Sequence, residues 1–186
     1  MYWWMRIDET GHPEPKTVPT ISYQLEQLSD PAFVPDFSKC RFVFERDECV
    51  DEVIMDFATY LHPTFFVREK AFCILNKYIA TFAKHSPFSC EGHIYYFIKI
   101  DVEFNLFDYE ASTYSRWGMY ERIEDEVNTV TRVMIKHPPP DTPDIFRLKG
   151  RNGVRKNIIV SDRFKQTYEE NGLTGLYFKP AEPLPN

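Results

Sequence analysis

The stretch 93–104, HIYYFIKIDVEF, decides the fold, because apolar and charged side chains alternate along it. Alternation of this kind is typical of a strand with one buried face and one exposed face. The residues expected on the buried face are Ile98, Ile100, Val102 and Phe104, and those expected on the exposed face are Lys99, Asp101 and Glu103. Residues 95–97 are apolar on both faces, which favours a strand inside a sheet.

A second strand, followed directly by a helix, is predicted upstream. Residues 64–67 form a strand-like apolar run. After it, apolar residues recur at helical spacing, namely Phe72, Leu75, Tyr78, Ile79 and Phe82. The helix is expected to end before Ser86, because proline at position 87 disfavours helical backbone in the residue that precedes it.

A second helix is predicted near the carboxy terminus, with clear signals at both ends. Ser161 is a good N-cap, and Asn171 with Gly172 is a left-handed stop. Phe164 and Tyr168 form its apolar stripe, onto which Leu173 is expected to fold back. The two strand-to-helix junctions, 65–70 and 158–163, are possible structural counterparts.

Shorter elements are predicted in the rest of the chain. Residues rich in β-branched and aromatic side chains favour strands at 2–7, 41–44, 129–135, 144–148 and 176–178. The turn 150–153 is expected to join two of these regions as a hairpin. A short helix is expected at 21–28, and Pro13, Pro15 and Pro19 are expected to lie in irregular loops.

Length and element pattern together predict one α+β domain over residues 1–186, with a mixed, mostly antiparallel sheet and a few packed helices. The net charge is -6, and the sequence pI is about 5.4. That charge disfavours direct binding of nucleic acid and favours a basic partner. The residues also show neither a signal peptide nor a membrane-spanning run, so a cytoplasmic location is expected. The oligomeric state stays open.

The four cysteines, Cys40, Cys49, Cys73 and Cys90, are expected to be buried thiols, because none shows CxxC spacing. One set of residues, Cys73, His85, Cys90 and His93, has the side-chain types of a metal site. It has no second pair at finger-like spacing, so we predict no metal site. A disulfide framework is not expected either.

No motif for catalysis or for cofactor binding is found. The seven glycines form no phosphate-binding loop, and no nucleophile elbow is present. Ser161 follows a strand as a nucleophile would, but the flanking glycines are missing, so helix capping is the better interpretation. The histidines 62, 85, 93 and 137 are expected to be loop, cap or strand-end residues, and Cys73 a buried, inert thiol. We therefore predict no catalytic residue and no cofactor.

The carboxy-terminal half resembles a family of immunity proteins from bacterial polymorphic toxin systems, long described only as a domain of unknown function. The resemblance covers residues 93–180, about half the chain, whereas residues 1–92 are divergent. It rests on five segments in order: YYFIKI at 95–100, FDYEAS at 107–112, DIFRLKG at 144–150, IIVSDRF at 158–164 and NGLTGLYF at 171–178. It implies an α+β antidote in the cytoplasm that inhibits a toxin stoichiometrically and has no catalytic residues. The toxin would be encoded nearby and delivered by a contact-dependent or type VI-like system.

Two acidic runs and the aromatic residues before the second run are the candidate partner-binding residues. Carboxylates of these runs are expected to occupy the substrate groove of a basic toxin, such as a nuclease, and the aromatic residues to anchor the contact. The candidates are Glu45, Asp47, Glu48, Asp51, Tyr114, Trp117, Tyr120, Glu121, Glu124, Asp125 and Glu126. Two other interpretations stay open: a pair of solvated charge runs, and a small intracellular enzyme, hydrolytic or modification-reversing, that protects without binding the toxin.

Overall fold

The computed structural model describes residues 1–7, 14–18, 33–37, 40–45, 53–59, 64–116, 127–150 and 153–181. The elements in chain order are β1 (Tyr2–Ile7), β2 (Glu14–Val18), β3 (Arg41–Glu45), β4 (Phe57–Thr59), β5 (Thr64–Arg68), α1 (Glu69–Ile79), β6 (Ala83–Cys90), β7 (His93–Ile100), β8 (Glu103–Phe104), β9 (Thr113–Arg116), β10 (Val127–Arg132), β11 (Ile145–Leu148), β12 (Ile158–Ser161), α2 (Asp162–Glu170) and β13 (Leu176–Pro180).

The strands form two larger sheets and one hairpin. A six-stranded sheet has the order β2-β3-β6-β7-β5-β4, and a five-stranded sheet has the order β13-β1-β12-β11-β8. Parallel pairing occurs between β3 and β6 and between β11 and β8, and the other neighbours are antiparallel. The hairpin is formed by β9 and β10. The predicted α+β class with mixed, mostly antiparallel strands is confirmed.

The two larger sheets contain the same unit of four strands and one helix. The first unit consists of β4, β5, α1, β6 and β7, with β4-β5-β7-β6 as the strand order. The second unit consists of β11, β12, α2, β13 and β1, with β11-β12-β1-β13 as the strand order. The amino-terminal strand β1 therefore takes the place in the second unit that β7 takes in the first.

The registers of the two units agree residue by residue. Phe66 pairs with Phe97 in the first unit, and Ile159 pairs with Trp4 at the equivalent positions of the second. No insertion separates the units from β5 through α1 to Pro87 and from β12 through α2 to Pro180. The register places β1, YWWMRI, opposite β7 residues 95–100, YYFIKI. The predicted correspondence of the two strand-to-helix junctions is thus confirmed at the level of structure.

The core has three parts, arranged on the two faces of the sheets. The helices α1 and α2 cover one face of both units, and their buried cluster includes equivalent pairs such as Val67 with Val160 and Ile98 with Met5. On its opposite face the second unit packs Trp4 against residues from the β9–β10 region. The corresponding face of the first unit is packed with aromatic rings from residues 33–44.

The predicted second helix is correct in detail. The Ser161 hydroxyl accepts a hydrogen bond from the backbone N–H of Phe164, so Ser161 is the N-cap. Gly172 has a φ of 57°, the left-handed backbone expected at the stop. Phe164 and Tyr168 are buried, and Leu173 packs with them in the same cluster.

The long strand predicted at 93–104 is wrong in two respects. It is divided into β7 and β8, which belong to different sheets. Lys99, expected on an exposed face, is only 1% exposed, and its ammonium group donates to the carbonyl oxygen of Phe33 at 3.1 Å. The reason is that residues 33–37 cover this face of β7, a tertiary contact that alternation along one strand does not reveal.

Several other predictions fail because of sheet pairing. Pro15 lies in β2, an edge strand of its sheet, where the missing N–H of proline is tolerated. The helix α1 ends at Ile79, so Phe82 lies beyond it, and His85 lies in β6 instead of at a helix end.

The prediction that the cysteines are buried is confirmed for Cys90 but is wrong for Cys73, which is exposed on α1, and Cys40 is only partly buried. Cys49, Pro13, Pro19 and the helix predicted at 21–28 lie outside the described residues.

Candidate functional site: the aromatic surface beside the β9–β10 hairpin

Of the predicted partner-binding residues, Tyr114 is the one whose side chain the structure describes. It lies in β9, is half-buried and packs against the cluster that contains Trp4. The backbone of Glu45 closes β3 in the other sheet, opposite Glu14. The remaining candidates, Asp47, Glu48, Asp51, Trp117, Tyr120, Glu121, Glu124, Asp125 and Glu126, lie outside the described residues.

The loop 107–112 is held by a dense set of hydrogen bonds. Asp108, which is buried, accepts the N–H groups of Glu110 and Ala111 on one carboxylate oxygen, each at 2.9 Å. The Ser112 hydroxyl accepts the N–H of Met134 at 2.9 Å and donates to the carbonyl oxygen of the same residue. These bonds fix the loop to the chain beyond β10, so the conformation of the loop does not depend on a partner.

The loop presents Tyr109 to solvent next to Tyr114. Tyr109 is 46% exposed, and its ring packs edge-on against buried Phe107 with centroids 4.8 Å apart. The Tyr109 and Tyr114 rings are perpendicular, with centroids 6.0 Å apart. The guanidinium of Arg116 lies 5.8 Å from the Tyr114 centroid. We call Tyr109, Tyr114 and Arg116 the aromatic surface.

The DIFRLKG and IIVSDRF segments of the resemblance meet in one polar contact. The Asp144 carboxylate accepts hydrogen bonds from the Ser161 hydroxyl and from the Arg163 guanidinium, the latter at 3.2 and 3.1 Å. The Asp144 carboxylate also contributes, after burial, to raising the pKa of Tyr2. This contact ties β11 to the start of α2, so we assign these residues a structural role.

The NGLTGLYF segment joins the two units. The Asp56 carboxylate accepts the N–H and the hydroxyl of Thr174 at 3.1 and 3.2 Å, and the Asp56 N–H donates to the same hydroxyl. Tyr168 accepts the N–H of Leu176 and donates to its carbonyl oxygen. The terminal segment therefore contacts both units, through Asp56 in one and Tyr168 in the other.

The described residues offer neither a metal cluster nor a membrane-spanning helix. Within the described ranges, no three His, Cys, Asp or Glu side chains are placed to hold a metal ion, and the Cys73–His85–Cys90–His93 constellation does not form. Neither helix of the described chain has the length and apolar character that a membrane crossing requires.

No protein-family model matches the chain, and no curated protein is significantly similar to it.

Sequence reasoning missed Tyr109 and Arg116. Tyr109 lies in a turn between β8 and β9. The available signal was the pair of Asx and Ser residues that flank Tyr109, since such residues fix loops and leave the side chains between them outside. Arg116 stands two residues after Tyr114 on the same strand face, a spacing that places both on one side.

Proposed function

We propose that this chain is a bacterial immunity protein that binds its cognate toxin one-to-one and blocks the active site or substrate groove of that toxin. The resemblance of residues 93–180 to polymorphic-toxin immunity proteins carries the class of function. The aromatic surface is the observation that supports binding. In this proposal the protein acts in the cytoplasm, against a toxin encoded nearby and delivered by a contact-dependent or type VI-like system.

The aromatic surface has the composition and the rigidity of a binding hot spot. Tyrosine and arginine are enriched among residues that dominate protein interfaces, because they provide a large contact area with a polar end. Tyr109 is supported by Phe107 and by a loop with its own internal hydrogen bonds, so little conformational entropy is lost on binding. An exposed tyrosine, Tyr109, held against the half-buried Tyr114 therefore favours tight association.

In the sequence, an acidic run follows directly after the last residue of the aromatic surface, Arg116. Residues 117–126 connect Arg116, the last residue of β9, to Val127, the first residue of β10. They include Glu121, Glu124, Asp125 and Glu126. Carboxylates near an aromatic anchor suit a basic toxin, because they accelerate association and select for positive charge. A nuclease-type toxin is the partner that fits this chemistry best.

The experiment is to co-express the chain with the product of the adjacent gene, purify the complex and titrate the two proteins by calorimetry. Tyr109→Ala and Tyr114→Ala are expected to weaken binding by about 30-fold or more, as hot-spot truncations do. Tyr177→Ala is the matched control, because Tyr177 is similarly exposed but lies on β13. Protection of cells without any complex would contradict the proposal and favour the enzymatic alternative.

A separate pair of variants tests the acidic run. Reversal of charge at Glu124 and Asp125 is expected to slow association, and more strongly at low salt than at moderate salt. Unchanged association at both salt concentrations would remove the acidic run from the interface and leave the aromatic surface as the tested contact.

A further inference from the structure

Trp4 is a buried ring that contacts two cations. It lies in β1, is 2% exposed and belongs to the core cluster of the second unit. The guanidinium of Arg6 lies 4.8 Å from the centroid of the Trp4 ring, and the ammonium of Lys179 lies 5.6 Å from it. Such contacts are favourable for each cation, but two positive charges beside one ring also repel each other.

Two cavities share the Trp4 ring as part of their lining. One, of about 180 Å³, is also lined by Arg6 and Lys156, with the side chains or backbone of Asn128 and Thr129. The other, of about 310 Å³, is also lined by Arg132 and Lys179. Residues of β10 contribute to both linings, so the cavities lie on the same face of the second unit.

The charge in these cavities is of one sign. Four cations line them, and no carboxylate does so in the part of the chain that the structure describes. None of the four forms an ion pair with a described carboxylate. This local excess of positive charge occurs in a chain whose net charge is -6.

In the first unit, the equivalent cation is covered by the chain and forms a hydrogen bond with it. Lys99 in β7 occupies the position of Arg6, as the shared register shows. The Lys99 ammonium is buried and donates to the carbonyl oxygen of Phe33. Within the described residues no hydrogen bond is found for the Arg6 side chain, whose guanidinium lies over the Trp4 ring. Among the residues that the structure describes, Arg6 therefore lacks an acceptor like the Phe33 carbonyl oxygen that Lys99 has.

We propose that the two cavities beside Trp4 bind a phosphate-bearing small molecule. The larger cavity, of about 310 Å³, has a volume at the lower end of the range of small-molecule sites. A phosphate group brings up to two negative charges and three acceptor oxygens, which arginine and lysine bind well. Tyr109, Tyr114 and Arg116 are not among the residues that line the two cavities, although Tyr114 pairs with Val130 of the first lining.

The first test measures the thermal unfolding midpoint of the intact protein at constant ionic strength. Inorganic pyrophosphate and adenosine triphosphate, without divalent metal, are the probes, and chloride is the reference. At saturation a probe is expected to raise Tm by about 3–6 °C, because it binds only the folded state. A glutamate-rich peptide is the third arm. The proposal is overturned if neither phosphate probe raises Tm more than chloride does. It is also overturned if only the peptide raises Tm, because the site would then bind an acidic protein segment.

Variants locate the site. Lys179→Gln and Arg132→Gln are expected to reduce the shift by at least half, and Arg6→Gln to abolish it. Lys70→Gln, on the exposed face of α1, removes the same charge elsewhere and is expected to leave the shift unchanged. Circular dichroism of each variant without ligand controls for folding. If Arg6→Gln unfolds the protein, Arg132→Gln still tests the site, because Arg132 is exposed and its replacement is not expected to affect folding. Equal responses of all variants would place the ligand elsewhere and overturn the proposal.

Discussion

Tyr2 and Tyr95 occupy equivalent positions in the two units. Tyr2 pairs with Ser161, the residue before α2, and Tyr95 pairs with Arg68, the residue before α1. The backbone N–H of Ser161 donates to the carbonyl oxygen of Asp144 at 2.8 Å. In the same way, the backbone N–H of Arg68 donates to the carbonyl oxygen of Asp56 at 2.8 Å. The second unit is therefore complete only when the first strand of the chain joins the strands and the helix of residues 145–180.

A chain that begins at residue 8 is expected to lose its cooperative fold. Without β1, the strands β12 and β13 have no partner between them, and the burial of Trp4, Met5 and Ile7 is lost. Each large apolar side chain contributes about 1.5–3 kcal/mol when fully buried, so the loss is comparable to the whole stability of a domain. Circular dichroism with denaturant titration measures the outcome.

Moving residues 1–7 to the carboxy terminus tests the same relationship in the opposite direction. Joined after residue 186 by a short glycine-serine linker, β1 is expected to pair with β13 as β7 pairs with β6 in the first unit. The permuted chain is expected to recover a cooperative transition within about 2 kcal/mol of the parent chain. A permuted chain as unfolded as the truncated one would show that the equivalence of the units is only geometric.

Gly175 and Gly172 form a matched pair for the interface between the units. Both have positive φ, 94° and 57°. A Cβ at Gly175 would lie 2.5 Å from the carbonyl oxygen of Phe57, whereas the space around Gly172 is open. Gly172→Ala is expected to cost about 1 kcal/mol for backbone conformation alone, and Gly175→Ala about 3 kcal/mol or more. Similar losses in urea denaturation would contradict the close approach to Phe57.

The local part of the fold was predictable from the sequence. Ser161, Asn171 and Gly172 mark the ends of α2, since caps and stops act within a few residues. The pairing of strands was not predictable in this way. Nothing local places β1 between β12 and β13, or covers Lys99 with residues 33–37, because both contacts join distant parts of the chain.

The candidate site was predicted only in part, for a related reason. Tyr114 was identified from residue type, and the structure adds Tyr109 as its neighbour through ring packing. The two tyrosines differ in exposure, which the sequence does not reveal. A tyrosine can lie in the core or at the surface, and the loop that holds it decides which. The basic cavities beside Trp4 were missed because their four cations come from three separate strands and a turn.

The thiols are expected to differ in reactivity with an uncharged maleimide. Cys73 is exposed on α1 and should react in the native protein, whereas Cys90 is buried and should react only after unfolding. Cys73→Ser is expected to remove the fast phase assigned to that thiol, and Cys90→Ser to leave the native reaction unchanged. Mass spectrometry of the labelled peptides assigns each site, and native labelling of Cys90 would contradict its burial.

Tyr95 is expected to make stability fall at alkaline pH. Burial raises the pKa of its phenol well above the ordinary 10.0, and the charges of Cys90 and Asp56 add to that effect against the opposing charge of Arg68. The folded state therefore retains the phenolic proton after the unfolded state has lost it. The contribution of Tyr95 to stability is complete below pH 10.0 and is lost as the pH rises above it, by up to about 1.4 kcal/mol per pH unit.

Urea denaturation between pH 8 and pH 11.5 measures how steeply the free energy of unfolding falls with pH. Tyr95→Phe, which cannot ionise, is expected to reduce it, while Tyr109→Phe, at an exposed ring, retains the parent slope; equal slopes in all three proteins would show that the Tyr95 phenol ionises without unfolding.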